Sequence, residues 1–518
     1  MRVLNLGSAA AALGALSGRR RAAAAIGLGV VGAGILPPLY LFPLGFAAFA
    51  GLVWMIEGRS VRSAFWIGWL FGLGHFAAGL YWIANALMIE WWRVGWMIPF
   101  AVLGLGAVLG VFTGAATASV RAAKLSGAAA PFGLALFWML AEIARGHVLT
   151  GFPWNLVATA WLASDALAQS AALFGAYGLS AIGVLVFALP AALARGKWRP
   201  AAASAAILAV AWGAGAYRLA QSDEVPLPDI RLRIVQPNVP QALKWDPEAR
   251  ERNLEELIAL TRSDGFATAT HVIWSETATA FPIWGDTPAL AARRAQVAEA
   301  VPPGGMLVTG APRFARDADG TIFAWNSLHA MAPDGTLTAT FDKFHLVPFG
   351  EYVPLREWLP FERIVPGGID FSAGPGPQLL AVRGLPVASP LICYEIIFPG
   401  NVEPEGPRPN LLLNITNDSW FGQSSGPHQH FAATRLRAVE EGLPAIRAAG
   451  GGISAVIDGY GRPVAKLGLG VRGVLDSGLP PSLSAPPYVQ VRNAPVFVLA
   501  VFFGALAGVL RRRNVATW

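Results

Sequence analysis

Seven apolar stretches crowd the first 217 residues of the chain, at roughly 22–36, 38–56, 63–83, 97–119, 129–144, 166–194 and 200–217, and an eighth lies at about 495–510. A helix rises about 1.5 Å per residue, so about 20 apolar residues cross a hydrocarbon layer of about 30 Å. A series of such stretches constrains this part of the chain to a bundle of membrane-spanning helices, because helices satisfy their own backbone in lipid. Composition agrees: 54% of residues are apolar and only 14% are charged.

Basic residues alternate between the turns. Arg19, Arg20 and Arg21 precede the first stretch, Arg59 and Arg62 follow the second, and Arg121 and Lys124 follow the fourth. Arg195, Lys197 and Arg199 follow the sixth, and Arg511, Arg512 and Arg513 follow the eighth. The other turns hold little but Arg93 and Arg145. Basic loops stay in the cytoplasm, which places both termini there and the long mixed segment outside. Seven crossings before that segment suit this orientation. No small-x-small cleavage site precedes Pro37-Pro38, so the first stretch reads as a retained span rather than a signal peptide. Trp91, Trp92, Trp96 and Trp154 are expected in an interfacial belt, with Glu142, Arg145 and His147 as interfacial anchors. Residues 149–154 (LTGFPW) hold Gly and Pro between two spans and predict an irregular or re-entrant segment.

The expected organisation is a transmembrane helical domain over 1–220, an α/β domain over 221–480, and a last transmembrane helix with a basic cytoplasmic tail over 490–518. Within the α/β part, strand patterns at 230–235, 271–274, 306–310, 326–332, 336–341, 385–392, 411–415, 453–457 and 464–467 alternate with helical patterns near 246–263, 289–300 and 428–441. This order predicts a layered α/β sandwich. Three strand ends deliver a reactive side chain each. Glu276 follows an apolar strand, where desolvation favours a base. Lys343 sits in an apolar turn, suited to an oxyanion. Cys393, the one cysteine in 518 residues, falls between a strand and the apparent start of a helix, whose N–H groups favour a thiolate. With one cysteine there is no internal disulfide, and the net charge of +7 is read largely as cytoplasmic loop charge. His428 and His430 are too few for a metal site and are read as structural.

The α/β part resembles the nitrilase, or carbon–nitrogen hydrolase, superfamily, an αββα sandwich with a Glu-Lys-Cys triad. The whole chain resembles the apolipoprotein N-acyltransferases, on residues 149–154, 241–246 (QALKWD), 343–354 (KFHLVPFGEYVP), 392–396 (ICYEI), 417–422 (NDSWFG) and 426–431 (GPHQHF). The chain departs from the family pattern at Ser275 and Pro237, which bears on loop geometry. The resemblance implies Glu276 as general base, Lys343 as oxyanion stabiliser and Cys393 as acylated nucleophile. It implies Glu351 as the partner of the lysine, Tyr394 and Glu395 as supports beside the nucleophile, and Trp245 and Trp420 as residues lining the acyl site. It further implies ping-pong transfer from a phospholipid, by resemblance phosphatidylethanolamine, through a thioester to the α-amine of a diacylglyceryl-cysteine at a lipoprotein N-terminus. No cofactor or metal is implied, nor any nucleic acid, and the expected location is a bacterial inner membrane with the catalytic domain on the periplasmic side. The alternatives are a membrane-anchored amidase that passes the acyl group to water, and a transporter or receptor whose outer domain binds a ligand.

Overall fold

The computed structural model describes residues 6–222, 225–354, 369–492 and 494–515. The chain divides into two units. One comprises Met1–Ala84, Glu90–Ser222 and Ala485–Trp518; the other comprises Asn85–Ile89 and Asp223–Ser484.

In the first unit a helix occupies each of the eight expected stretches: Gly18–Ala33, Pro43–Ile56, Val61–Gly79, Ile98–Ala122, Ala130–His147, Ala171–Ala188, Arg199–Ala220 and Ala494–Val515. Five helical segments among the described residues are long and apolar enough to cross a membrane: Trp91–Ala122, Gly127–His147, Ala171–Arg195, Arg199–Ala220 and Ala494–Arg513. A further helix, Leu6–Ala15, precedes Arg19, Arg20 and Arg21 and was not foreseen. Its run of Ala and Leu lacks the length of a span. Small residues set the packing of Val61–Gly79 against Ile98–Ala122. A Cβ on Gly68 would fall 2.0 Å from Thr117 Oγ1, and one on Gly72 would fall 2.1 Å from Thr113 Oγ1. The threonine hydroxyls use this closeness, Thr113 donating to the Gly68 carbonyl and Thr117 to that of Ala64, each at 2.8 Å. Lipid offers no hydrophobic drive between helices, so close approach and such bonds carry the association.

The segment after His147 is irregular, as its Gly and Pro predict, but its charged neighbours are not interfacial anchors. Glu142 and Arg145 are buried. Arg145 Nη1 donates to the carbonyls of Phe152 and Trp154 at 2.6 Å each. Glu142 Oε1 accepts from the Val157 N–H and from Trp138 Nε1, both at 3.1 Å. Backbone that leaves the helical pattern at such depth needs partners, and these two side chains supply them. His147 alone of the three is exposed. Trp154 is likewise no belt residue: it is buried, stacked on Phe152 and tilted against Trp82. Trp91, Trp92 and Trp96 are exposed, as a belt requires.

The second unit is two packed sheets. The strands are β1 Arg231–Gln236, β2 His271–Ile273, β3 Met306–Arg316, β4 Ile322–Met331, β5 Leu337–Asp342, β6 Ala388–Ile392, β7 Leu411–Thr416, β8 Ala445–Ala449, β9 Ser454–Ile457, β10 Pro463–Leu467 and β11 Gly473–Gly478. One sheet runs β11-β1-β2-β3-β4-β5 and the other β10-β9-β8-β7-β6. The central strands β1, β2 and β3 are parallel, as are β6, β7 and β8. Side chains alternate across a strand, and the alternation sorts the layers. Ile234, Ile273 and Val308 face Ile392, Leu413, Ile415 and Ile446 between the sheets. Val235, Val272 and Leu307 face outward, onto Leu254 and Leu257 of helix Ala249–Thr261 and Val297 of helix Pro288–Ala298. The expected αββα sandwich is therefore present. Strands β8 and β11 were not foreseen. β8 is buried throughout and reads Ala-Ile-Arg-Ala-Ala, without alternation, and β11 begins and ends on glycine.

Candidate active site

The chemistry gathers where strands from both sheets end. Glu276 lies three residues past β2, Lys343 one past β5, and Cys393 one past β6. The turn bearing Glu276 presses on β3, where a Cβ on Gly310 would sit 2.7 Å from Glu276 Cα and 2.5 Å from the Thr277 nitrogen. Glycine is required there.

Lys343 is 1% exposed and carries two carboxylates. Its Nζ is 2.9 Å from each oxygen of Glu351 and 3.8 Å from Glu276 Oε1. Burial works to lower the pKa of Lys343, but Glu351 and Glu276 outweigh it and hold the ammonium above its ordinary value. Asn326 of β4 bridges the same carboxylates, its Nδ2 donating to Glu276 Oε1 at 2.6 Å and to Glu351 Oε1 at 3.0 Å. The other Glu276 oxygen accepts from the Asn417 N–H at 2.8 Å, and Glu351 Oε2 from the Val347 N–H at 2.8 Å. Both carboxylates are fixed in rotamer and level.

Cys393 is half-buried and has φ 53°, in the left-handed region that costs an L-residue roughly 1–2 kcal/mol. The helix expected after it is a five-residue 3-10 turn, Cys393–Ile397. So short a turn aims fewer N–H groups at the thiol than the expected helix would. Burial, then the Glu276 charge, push the thiol pKa up, and Lys343 offsets this only in part. Desolvation outweighs the few N–H dipoles of so short a turn.

The supporting residues divide by what they touch. Glu395 is fully buried; its Oε2 accepts from the Ile392 N–H at 2.6 Å, and its Oε1 from the N–H groups of Phe344 and His345 at 2.7 and 3.1 Å. It thereby ties the turn of Cys393 to the loop of Lys343. Burial raises its pKa to about 8, against the pull of those N–H groups. Tyr394 packs edge-on to Phe398 and His345, with centroids 5.0 and 5.5 Å away. Trp245 and Trp420 are half-buried and follow groups that hold Glu276. Trp245 comes directly after Lys244, whose Nζ donates to the Glu276 carbonyl at 3.0 Å, and Trp420 lies three residues past Asn417.

Sequence reasoning missed Asn326 and Lys244, and it left Asp418 unremarked. Asn326 is followed on β4 by the polar Ser327 and His329, so no local pattern set it apart. Burial lowers the pKa of Lys244 to about 8, and the charges of Glu276 and Cys393 raise it in opposition. Among the described residues no group of three His, Cys, Asp or Glu side chains is placed to hold a metal ion.

A family described as the apolipoprotein N-acyltransferase N-terminal domain matches residues 28–189, and the carbon–nitrogen hydrolase family matches residues 231–485. The apolipoprotein N-acyltransferase of Bradyrhizobium diazoefficiens is 40% identical over 521 residues, covering 96% of this chain and 96% of its own. That of Rhodopseudomonas palustris is 38% identical with the same coverage, and that of Allorhizobium ampelinum is 41% identical over 504 residues, 92% and 93% of the two chains. Among solved structures, an amidase from Nesterenkonia sp. is 21% identical with a TM-score of 0.36, covering 53% of this chain and 98% of its own. Identity at this level over nearly the full length, helical and α/β parts alike, places the chain in the apolipoprotein N-acyltransferase family.

Proposed function

We propose that the protein transfers an acyl chain from a phospholipid to the α-amine of a lipoprotein's N-terminal diacylglyceryl-cysteine, by a ping-pong reaction at Cys393. The observation that carries this reading is Lys343, buried between Glu276 and Glu351, in the same site as the single cysteine Cys393. Glu276 takes the thiol proton, and the thiolate attacks the donor's ester carbonyl. Lys343 and the Tyr394 N–H stabilise the oxyanion. Collapse expels the lysophospholipid alkoxide, which Glu276 protonates, and leaves a thioester on Cys393. The acceptor amine then attacks, Glu276 takes its proton, and the thiolate leaves as the amide forms. A thioester already holds the acyl group activated, so no cofactor enters. Trp245, Trp420 and Phe349, half-buried to exposed apolar side chains, are assigned to the acyl chain and to shielding the thioester from water. By family resemblance the donor is phosphatidylethanolamine.

Transfer and hydrolysis part at the second step. The acyl-enzyme is expected to persist without acceptor and to discharge within seconds on addition of a diacylglyceryl-cysteinyl peptide with a free α-amine. The N-acetylated peptide should leave it intact. The measurement is intact mass against time with each peptide. Equal decay with both, accompanied by free fatty acid, would instead make the protein an amidase.

The arginine alternation supports an orientation in a bacterial inner membrane with both termini cytoplasmic and the α/β unit periplasmic. A reporter fused after Arg513 should be active only in its cytoplasmic form, and one at Asp476 only in its periplasmic form. Cytoplasmic signal at Asp476 overturns the orientation.

A further inference from the structure

The proposed reaction makes no use of a charged chain buried directly behind the nucleophile. His430, on helix Ser425–Glu441, is fully buried. Its Nε2 lies 3.1 Å from the Cys393 carbonyl oxygen, and its Nδ1 lies 2.9 Å from Asp418 Oδ1. A carbonyl only accepts, so Nε2 carries a proton and donates it. Asp418 also accepts from Thr416 Oγ1 at 2.9 Å and from Arg447 Nη2 at 2.7 Å. Burial opposes ionisation of Asp418, but Arg447 and His430 outweigh it and hold the carboxyl down at about 2. Nε2 is therefore the protonated nitrogen, and Nδ1 lies against the Asp418 carboxylate. Burial, then Arg447, lower the pKa of His430, and Asp418 opposes them. Arg447 is itself anchored in β8, with further bonds to Asn414 and Thr434.

The carbonyl that His430 holds belongs to a residue at φ 53°. A cysteine relaxes from that region toward negative φ unless its surroundings fix it. Such relaxation would rotate the peptide unit and carry Sγ away from Glu276 and Lys343.

We propose that His430 is the positioning residue of the nucleophile. By its bond to the Cys393 carbonyl it pins the left-handed turn that aims Sγ, and Asp418 and Arg447 fix the ring for that task. This rests on the reading of Cys393 as nucleophile.

The test uses the full chain in detergent with phospholipid. His430→Leu removes the donor; His430→Gln keeps an N–H at the position of Nε2. Two rates are read by intact mass: carboxamidomethylation of Cys393 by iodoacetamide, and acyl-enzyme formation against phospholipid concentration. In His430→Leu both should fall about a hundredfold, the scale of an ångström's misplacement, with half-saturating phospholipid unchanged. His430→Gln should recover both to within about tenfold of wild type, since the amide restores the hydrogen bond but lacks the ring's contact with Asp418. Wild-type rates in His430→Leu overturn the proposal, as does a His430→Gln variant that folds and is as slow as His430→Leu. If His430→Leu does not fold, His430→Gln decides alone: recovery supports the proposal and a hundredfold loss overturns it. Failure of the underlying reading shows separately, as acyl transfer that survives Cys393→Ala whatever the His430 variants do.

Discussion

Cys393→Ala is expected to carry no acyl mass and to transfer acyl chains at least about 10⁴-fold more slowly than wild type, the scale on which covalent nucleophiles act. Glu276→Gln should retain the thiol yet acylate about 10²- to 10⁴-fold more slowly. The second number separates two accounts of the nucleophile. A thiolate ready at rest would need no base, and Glu276→Gln would then cost little. Burial and the Glu276 charge instead push the Cys393 thiol up, which favours taking the proton during the attack. Single-turnover acylation with each variant, read by mass, settles it. Full turnover in Cys393→Ala would remove the nucleophile assignment, and near-wild-type acylation in Glu276→Gln would remove the base.

How far the sequence reached is clearest at Cys393. Its position at a strand end was legible because residues 385–392 form an apolar run and residues 394–397 read as the opening of a helix. Its protonation state was not, because that depends on burial and on Glu276, which is 117 residues away in the chain and meets it only in the fold. Glu276, Lys343 and Glu351 were legible as residues and as a resemblance, and the structure brings them to one lysine ammonium. Asn326 was hidden for the same reason as the protonation state. Its value lies in reaching two carboxylates at once, a relation between strands that no local pattern records. The membrane part shows the complementary failure. Hydrophobic length located the helices well, but charge near their ends was read as interfacial by habit of position. Glu142 and Arg145 face inward because the non-helical segment after His147 exposes carbonyl and N–H groups that need partners. Strand β8 hid for a third reason: a strand buried on both faces carries no alternation.

Lys343→Met is expected to lose both chemistry and stability, and the stability loss should depend on pH in a way the wild type's does not. The lysine is 1% exposed and is the cation shared by Glu351 and Glu276. Removing one partner of a buried pair costs about 3–5 kcal/mol, because the remaining charge is left without compensation. Here two carboxylates would be left, joined by one Asn326 amide. Losing the oxyanion's cation should slow acylation about 10²- to 10³-fold by itself. In the wild type the pKa of Lys343 is raised above its ordinary value. Its contribution is therefore fully present below about pH 10 and is lost only above that, leaving thermal stability insensitive to Lys343 between pH 5 and 8. In the variant, protonation of a carboxyl relieves the uncompensated charge, so the folded state gains protons that the unfolded state does not bind, and stability falls as pH rises over that range. Adding Glu351→Gln to Lys343→Met removes one of the two charges and should restore part of the loss at pH 8 without restoring acylation. Thermal transitions of the three proteins at pH 5 and pH 8 test this. A Lys343→Met transition equal to wild type at both pH values would mean that the buried lysine does not compensate the two glutamates, and the oxyanion role drawn from that geometry would go with it.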